Sequence, residues 1–203
     1  MVTIKAGHDF IEALRNVAIF ASTDDTLPAL CGVQMDWTTD GVVELVATDR
    51  YMLARQTVES AEVTADGPGH VFIPAAQVKQ LSAVKMDAHT PILITVEDGG
   101  VATFAPPCGI RVTTGPTSDY SFPDWRKLWD RMAENLGQGE VNAVSAWNPK
   151  LLARFAKVRD GGKLPPHVKF TRCGFTRCGT GKDLAECGPV RVMAMQIRVA
   201  ETS

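Results

Sequence analysis

The residues that could do chemistry fall into three sets. Cys173, Cys178 and Cys187, with His167 nearby, carry the donor types of a zinc site. Their spacing does not match a C-x2-C knuckle. Phe170-Thr171-Arg172-Cys173-Gly174 and Phe175-Thr176-Arg177-Cys178-Gly179 form a direct repeat that reads more simply as two arms of a hairpin. Asp24, Asp25 and Asp49 are carboxylates of the kind a metal-dependent nuclease uses. Asp24-Asp25 falls in a helix-to-strand turn, however, with no histidine or third acid at a useful spacing, and Asp49 suits a tight turn in which it bonds backbone. The P-loop, the dinucleotide fingerprint and the GxSxG elbow are all missing. No catalytic constellation, metal or cofactor is expected. The third set is cationic. Lys150, Arg154 and Lys157 stand at i, i+4 and i+7, one face of a helix. Lys79 and Lys85 share a face with Ser82 between them, and Arg15 stands beside Asn16.

Composition bounds what these residues can mean. The 203 residues carry a net charge of -2, so DNA contact would have to come from a local face rather than from the whole molecule. The 45% hydrophobic fraction is ordinary for a globular protein with a real core. The strand-like start Met1-Val2-Thr3-Ile4-Lys5 is unlike a signal peptide, and no apolar run reaches membrane-span length. Five scattered cysteines argue against a disulfide framework and for a reduced, cytoplasmic protein.

The elements that must position these residues follow one plan three times: strand, amphipathic helix, strand, turn, strand. The first unit runs from Val2 to about Thr64. Asp9 and Glu12 resemble a capping box, ahead of a stripe of Phe10, Leu14, Val17, Ala18 and Ala21. Strands over Cys31 to Thr38 and Val42 to Thr48 are joined by the hairpin signal Asp40-Gly41, and Leu53 to Val63 continues as a strand. The second unit, about His70 to Thr117, has a strand from His70 to Ile73 and a helix entered at Pro74 with Val78, Leu81 and Val84 inward. Strands over Ile92 to Val96 and Val101 to Phe104 flank Asp98-Gly99-Gly100, and Ile110 to Thr114 closes it. A connector from Gly115 to about Gly139 is aromatic enough to pack down. The third unit, about Glu140 to Ala200, has a strand near Val141 to Ala146. Asn148-Pro149 then starts a helix with Leu151, Leu152, Phe155 and Ala156 inward. Strands follow over Val168 to Cys173, Phe175 to Cys178 and Val190 to Val199, while Gly179 to Gly188 shows no clean period.

Five fragments, in order, resemble the bacterial type of DNA polymerase sliding clamp, the beta subunit of DNA polymerase III. Val43-Glu44-Leu45-Val46-Ala47-Thr48-Asp49-Arg50-Tyr51-Met52-Leu53-Ala54 is similar to that family's ATDGHRLA segment. Phe72-Ile73-Pro74 resembles the second half of its middle domain, and Phe122-Pro123-Asp124-Trp125-Arg126 its FPDY segment. Asn148-Pro149-Lys150-Leu151-Leu152 resembles the last inner helix, and Val192-Met193-Ala194-Met195-Gln196-Ile197 the terminal VMPMRL strand. Two departures stand out. The family's first domain is missing and its third is reduced to a second half; Arg50, Tyr51 and Met52 also replace glycine, histidine and arginine, and Ala194 and Gln196 replace proline and arginine. A short clamp encoded by a phage fits this pattern.

The resemblance implies an α+β fold with helices on one face of antiparallel sheets. It implies a clamp domain over residues 1–125, made of two units (about 1–64 and 70–117), and a shortened second domain or half-domain over 126–203. Arg15, Lys79, Lys85, Lys150, Arg154 and Lys157 would then face duplex DNA inside a ring, without reading bases. Thr48, Leu53, Pro123, Leu128, Val192, Met193 and Met195 would form a hydrophobic groove for partner peptides of the DNA polymerase and clamp loader. The implied function is a processivity factor without catalysis. Family rings hold six domains, so three-unit chains would close as four copies, or as three if the third unit is a degenerate whole domain. The rivals are a clamp-fold adaptor or decoy that never closes and a metal-dependent nucleic-acid enzyme.

Overall fold

The computed structural model describes residues 1–85, 90–134, 147–175 and 181–195. The first unit contains β1 (Val2–Ala6), α1 (Asp9–Ala18), β2 (Gly32–Trp37), β3 (Val43–Thr48), β4 (Met52–Val58) and β5 (Ala61–Thr64). The second contains β6 (Gly69–Pro74), α2 (Ala75–Ser82), β7 (Ile92–Val96), β8 (Ala102–Ala105) and β9 (Val112–Thr113). The connector holds α3 (Trp125–Glu134). The third unit contributes α4 (Pro149–Phe155), β10 (Lys169–Phe175), β11 (Gly181–Cys187) and β12 (Val190–Met195). The fold is α+β with antiparallel sheets, as the sequence implies.

The first strand of each of the first two units crosses to the other unit's sheet. β1 pairs antiparallel with β7, Ile4 opposite Ile94, and β6 pairs with β2, Gln34 opposite Phe72. The result is one sheet ordered β5-β1-β7-β8-β9 and a second in which β6-β2-β3-β4 runs on through β12-β11-β10. Met193 lies opposite Leu53 where β12 joins β4, so the third unit is hydrogen-bonded into the second sheet.

Strand alternation assigns the two faces of this seven-stranded sheet. Val33, Met35, Leu45, Ala47 and Val71 point into the main core, where α1 brings Phe10, Ile11, Leu14 and Val17, and α2 brings Val78 and Leu81. Further along the same face Met52, Ala54, Val192 and Ala194 pack against Phe20, Phe155 and Val158, so α4 lies on the helix side as well. The intervening residues Val46, Leu53, Leu184 and Met193 point to the opposite face, which α3 covers with Trp125 and Trp129. Cover on both faces explains why all six residues of β2 and all six of β3 are buried. The hairpin turns use positive φ at Gly41 (81°) and Gly99 (99°), a region that costs a side chain energy and glycine none.

Several local expectations are corrected. Asp9 and Glu12 do not form a capping box: the helix follows His8, which makes no side-chain cap. The Asp9 carboxylate instead accepts from the Glu59 and Ser60 N–H groups and from the Ser60 hydroxyl. Glu12 accepts from the Gly161 and Gly162 N–H groups, 2.9 and 2.8 Å away in the third unit. The run from Leu53 to Val63 is two strands, because the turn that Asp9 holds redirects the chain onto β1. The phenylalanine-to-glycine repeat is not two hairpin arms: β10 runs through Gly174 with a register shift between Arg172 and Phe175, and its partner is β11, drawn from the stretch without a period. Ala156 is exposed rather than inward, and Leu151 and Leu152 are only half-buried. The expected strand near Val141 to Ala146 lies outside the described residues.

Candidate functional site

The helix side holds the cations. Lys79, Lys85, Lys150 and Lys157 are exposed. Arg15 leaves α1 to donate from Nε to the Ser82 carbonyl at 2.9 Å and from Nη2 to Ser82 and Val84. It thereby satisfies backbone acceptors that the end of α2 leaves open. Its charge is partly occupied in joining the two helices.

Arg154 is a correction to the expected three-cation face. Its Nη1 lies 2.7 Å from Oδ2 of Asp49, whose side chain is 8% exposed. The other Asp49 oxygen accepts from the Tyr51 and Met52 N–H groups at 2.9 and 2.7 Å. One carboxylate thus fixes the β3–β4 turn and holds α4 against it. The short helix also ends at Phe155, so Lys157 stands beyond it rather than on its face. Its start is as expected: the Asn148 side chain accepts from the Lys150 N–H at 2.9 Å, a helix cap ahead of Pro149.

The opposite face holds the apolar candidates, and strand alternation divides them. Leu53 and Met193 lie side by side with Val46, Leu184, Trp125 and Trp129. Val192 does not join them; it points into the helix-side cluster and is fully buried there, a one-residue error that places a side chain on the wrong face. Thr48 is buried and donates its hydroxyl to the Met52 carbonyl at 2.7 Å. Pro123 is half-buried, and Leu128 is 38% exposed on α3. Met195 ends β12. The patch is therefore roofed by Trp125 and Trp129 of α3.

The sequence reading missed the polar network that seats this roof. Trp125 donates its indole N–H to Asp36 Oδ2 at 2.9 Å. Arg126 bridges the same Asp36 oxygen at 3.1 Å and Glu44 Oε2 at 2.9 Å, and Arg55 pairs with Glu44 Oε1 at 3.1 Å. The Arg55 guanidinium lies 4.2 Å from the centroid of the Trp129 ring, and Arg126 lies 4.4 Å from that of Trp125. Burial depresses the Arg55 pKa from its ordinary value, and the neighbouring Glu44 opposes the shift. The available signal was Asp36 and Glu44 inside strands, on the face opposite the aliphatic one: buried carboxylates need cationic or N–H partners, and the aromatic connector supplies them.

Of the metal candidates, Cys178 lies outside the described residues, and of the nuclease carboxylates Asp24 and Asp49 serve separate turns. Cys187 is buried, and its pKa is raised by burial. Asp24 accepts from the Thr26 N–H and hydroxyl, which lowers its pKa, and it serves its own loop. Among the described residues no three His, Cys, Asp or Glu side chains converge on a metal position. Among those residues, too, no helix is long and apolar enough to cross a membrane.

Comparison with known proteins agrees with this geometry. Residues 5–110 match the family described as the DNA polymerase III beta subunit, central domain. The beta sliding clamp homolog GriR of Streptomyces muensis is 28% identical over 139 residues, which cover 68% of this chain but only 36% of that protein. Among solved structures, the Helicobacter pylori beta clamp bound to a DNA ligase peptide superposes with a TM-score of 0.70 at 13% identity, over 97% of this chain and 65% of that one. The Pseudomonas aeruginosa sliding clamp gives 0.68 at 14% identity, over 98% and 67%. The chain therefore spans about two thirds of the length of these clamps, and the aligned part about a third of the curated relative.

Proposed function

Because the chain belongs to the DNA polymerase III beta-subunit family, we propose that it is a short sliding clamp: a homo-oligomeric ring that encircles duplex DNA and tethers a polymerase, with no catalysis of its own. The observation that carries this reading is the seven-stranded sheet itself. It runs unbroken from the first two units into the third, with α1, α2 and α4 all on one side. Copies arranged in an arc with that side inward would present Lys79, Lys85, Lys150 and Lys157 to the phosphate backbone. In this reading residues 1–125 are one complete clamp domain and 126–203 a half-domain. Contact with each phosphate steepens the log–log salt dependence by roughly 0.9, and weak contact suffices where topology retains the DNA. A separate loader would open the ring, and the compartment would be the cytoplasm.

Partner peptides would bind on the opposite face, along Leu128, Pro123, Leu53 and Met193 at the edge of the α3 roof, with Thr48 beneath and Met195 at the strand end. Apolar side chains that include flexible methionines suit extended peptide motifs.

The test is retention on nicked circular plasmid and release when the plasmid is linearised. A clamp stays on the circle and slides off the ends. Equal loss from both forms would sink the ring and leave a non-closing adaptor.

A further inference from the structure

The β3–β4 turn is fixed by the residues around its tip. The Thr48 hydroxyl donates to the Met52 carbonyl at 2.7 Å and accepts from the Arg50 N–H at 3.2 Å. Asp49 accepts from the Tyr51 and Met52 N–H groups with one oxygen and pairs with Arg154 through the other. The Asp49 N–H donates to the Met52 carbonyl at 3.2 Å. These bonds ask of residue 50 only a left-handed backbone and an N–H, and glycine supplies both without strain. The chain has arginine there, at φ 78°, the one non-glycine residue in that region among the described residues. A side chain on left-handed backbone is strained, and such strain persists where the surroundings over-determine it, commonly at sites of recognition. Here the strain is attached to the guanidinium and not to the turn.

The turn stands at one end of the apolar patch. Thr48 lies opposite Leu53 in the β3–β4 ladder, and Leu53 lies opposite Met193 of β12. Arg50 is exposed, and Tyr51 beside it is 57% exposed. Arginine and tyrosine are among the residue types that carry most of the binding energy at protein interfaces. The nearby Asp24 carboxylate is taken by the Thr26 hydroxyl and N–H, which lower its pKa more than Arg50 does. A guanidinium displayed in this way suits a carboxylate, which it can hold through two parallel N–H donors.

We infer that Arg50 selects among partner peptides, pairing with a carboxylate that stands beside the peptide's apolar anchors, with Tyr51 as the aromatic rim of that contact. The inference rests on the peptide-groove reading and adds the charge that leucine and methionine lack. Apolar contacts accept many sequences, whereas one fixed cation rewards an acid and repels a base. The occupant is a peptide rather than DNA because the strand that leaves the turn sends Leu53 to the α3 side, away from the helix layer.

The experiment uses the full 203-residue chain. Its probe is the DNA ligase peptide that the Helicobacter pylori clamp binds, lengthened at both ends by Asp in one version and by Asn in the other. Fluorescence anisotropy should show the Asp version binding roughly threefold more tightly, as one exposed ion pair allows. Arg50→Gly should erase that preference while melting no lower than the natural chain, and Arg50→Glu should reverse it. A merely structural role for Arg50 would not give a lost preference with undiminished stability. Leu128→Glu, at a side chain already 38% exposed, should weaken both versions alike. The same Asp preference in the natural chain and in Arg50→Gly would overturn the inference, and the groove would stand if Leu128→Glu still weakened binding. A preference that follows Arg50 but ignores Leu128→Glu would keep the Arg50 contact and remove the groove. A natural chain that binds neither version would sink both. If Arg50→Gly changed only the salt dependence of retention on circular plasmid, Arg50 would belong to the phosphate backbone and the inference would fall.

Discussion

Trp125 donates its indole N–H to Asp36 across eighty-nine residues of sequence, at 2.9 Å, on the face of β2 that the helix layer leaves uncovered. That bond, with Arg126 on the same carboxylate, turns an aromatic connector into a structural layer. Trp125→Phe keeps the ring and removes the donor. It should lower unfolding free energy by about 1–3 kcal/mol, because a buried carboxylate loses a partner. Urea denaturation of the two proteins measures this; equal midpoints would show that the bond contributes nothing.

Arg154 and Asp49 form an internal tie, so Arg154 is a poor probe of DNA contact. Arg154→Met should cost about 2 kcal/mol of stability, since Asp49 would keep its backbone donors but lose its cation. The four-lysine reversal Lys79→Glu, Lys85→Glu, Lys150→Glu and Lys157→Glu touches only exposed side chains. It should leave thermal unfolding nearly unchanged and abolish polymerase stimulation. Unchanged stimulation would remove these lysines from any DNA-facing role.

Arg50 occupies the left-handed region at φ 78°, where the family's ATDGHRLA segment has glycine. A non-glycine residue there costs about 1–2 kcal/mol. Arg50→Gly should recover about 1 kcal/mol, part of the gain being offset by the freer unfolded chain. A lower melting temperature in the glycine variant would mean that Arg50 makes a compensating contact.

Cys187 is buried and its thiol is pushed up, whereas Cys108 is exposed. The thiolate is the reactive form. Iodoacetamide at neutral pH should label Cys108 at least tenfold faster than Cys187, with the difference vanishing in denaturant. Comparable native rates would place Cys187 at the surface.

Local pattern disclosed the strand–helix–strand order, the hairpin turns at Gly41 and Gly99, and the Asn148 cap, because each depends on residues within a few positions of one another. It failed where a side chain serves a distant segment. Asp9 and Glu12 have the spacing of a helix cap, yet they hold the turn at Ser60 and the loop at Gly161. Arg154 has the spacing of a cationic face, yet Asp49 occupies it. Val192 and Met193 are both groove candidates in sequence, yet neighbours on a strand face opposite sides, and because both faces here are apolar only the structure tells which of the two belongs to the patch. Charge and spacing give candidates; the crossing strands decide which of them are free.

The crossing of β1 and β6 governs the order in which the chain can fold during synthesis. β1 leaves the ribosome well before its partner strand β7, which ends only at Val96. Until then β1 has β5 alone beside it, and β2 waits for β6. Such long-range pairings make folding slow relative to helical domains. The nascent first unit is therefore an exposed, sticky intermediate, and any arrest of translation before residue 92 should yield a chaperone client rather than a partly folded clamp.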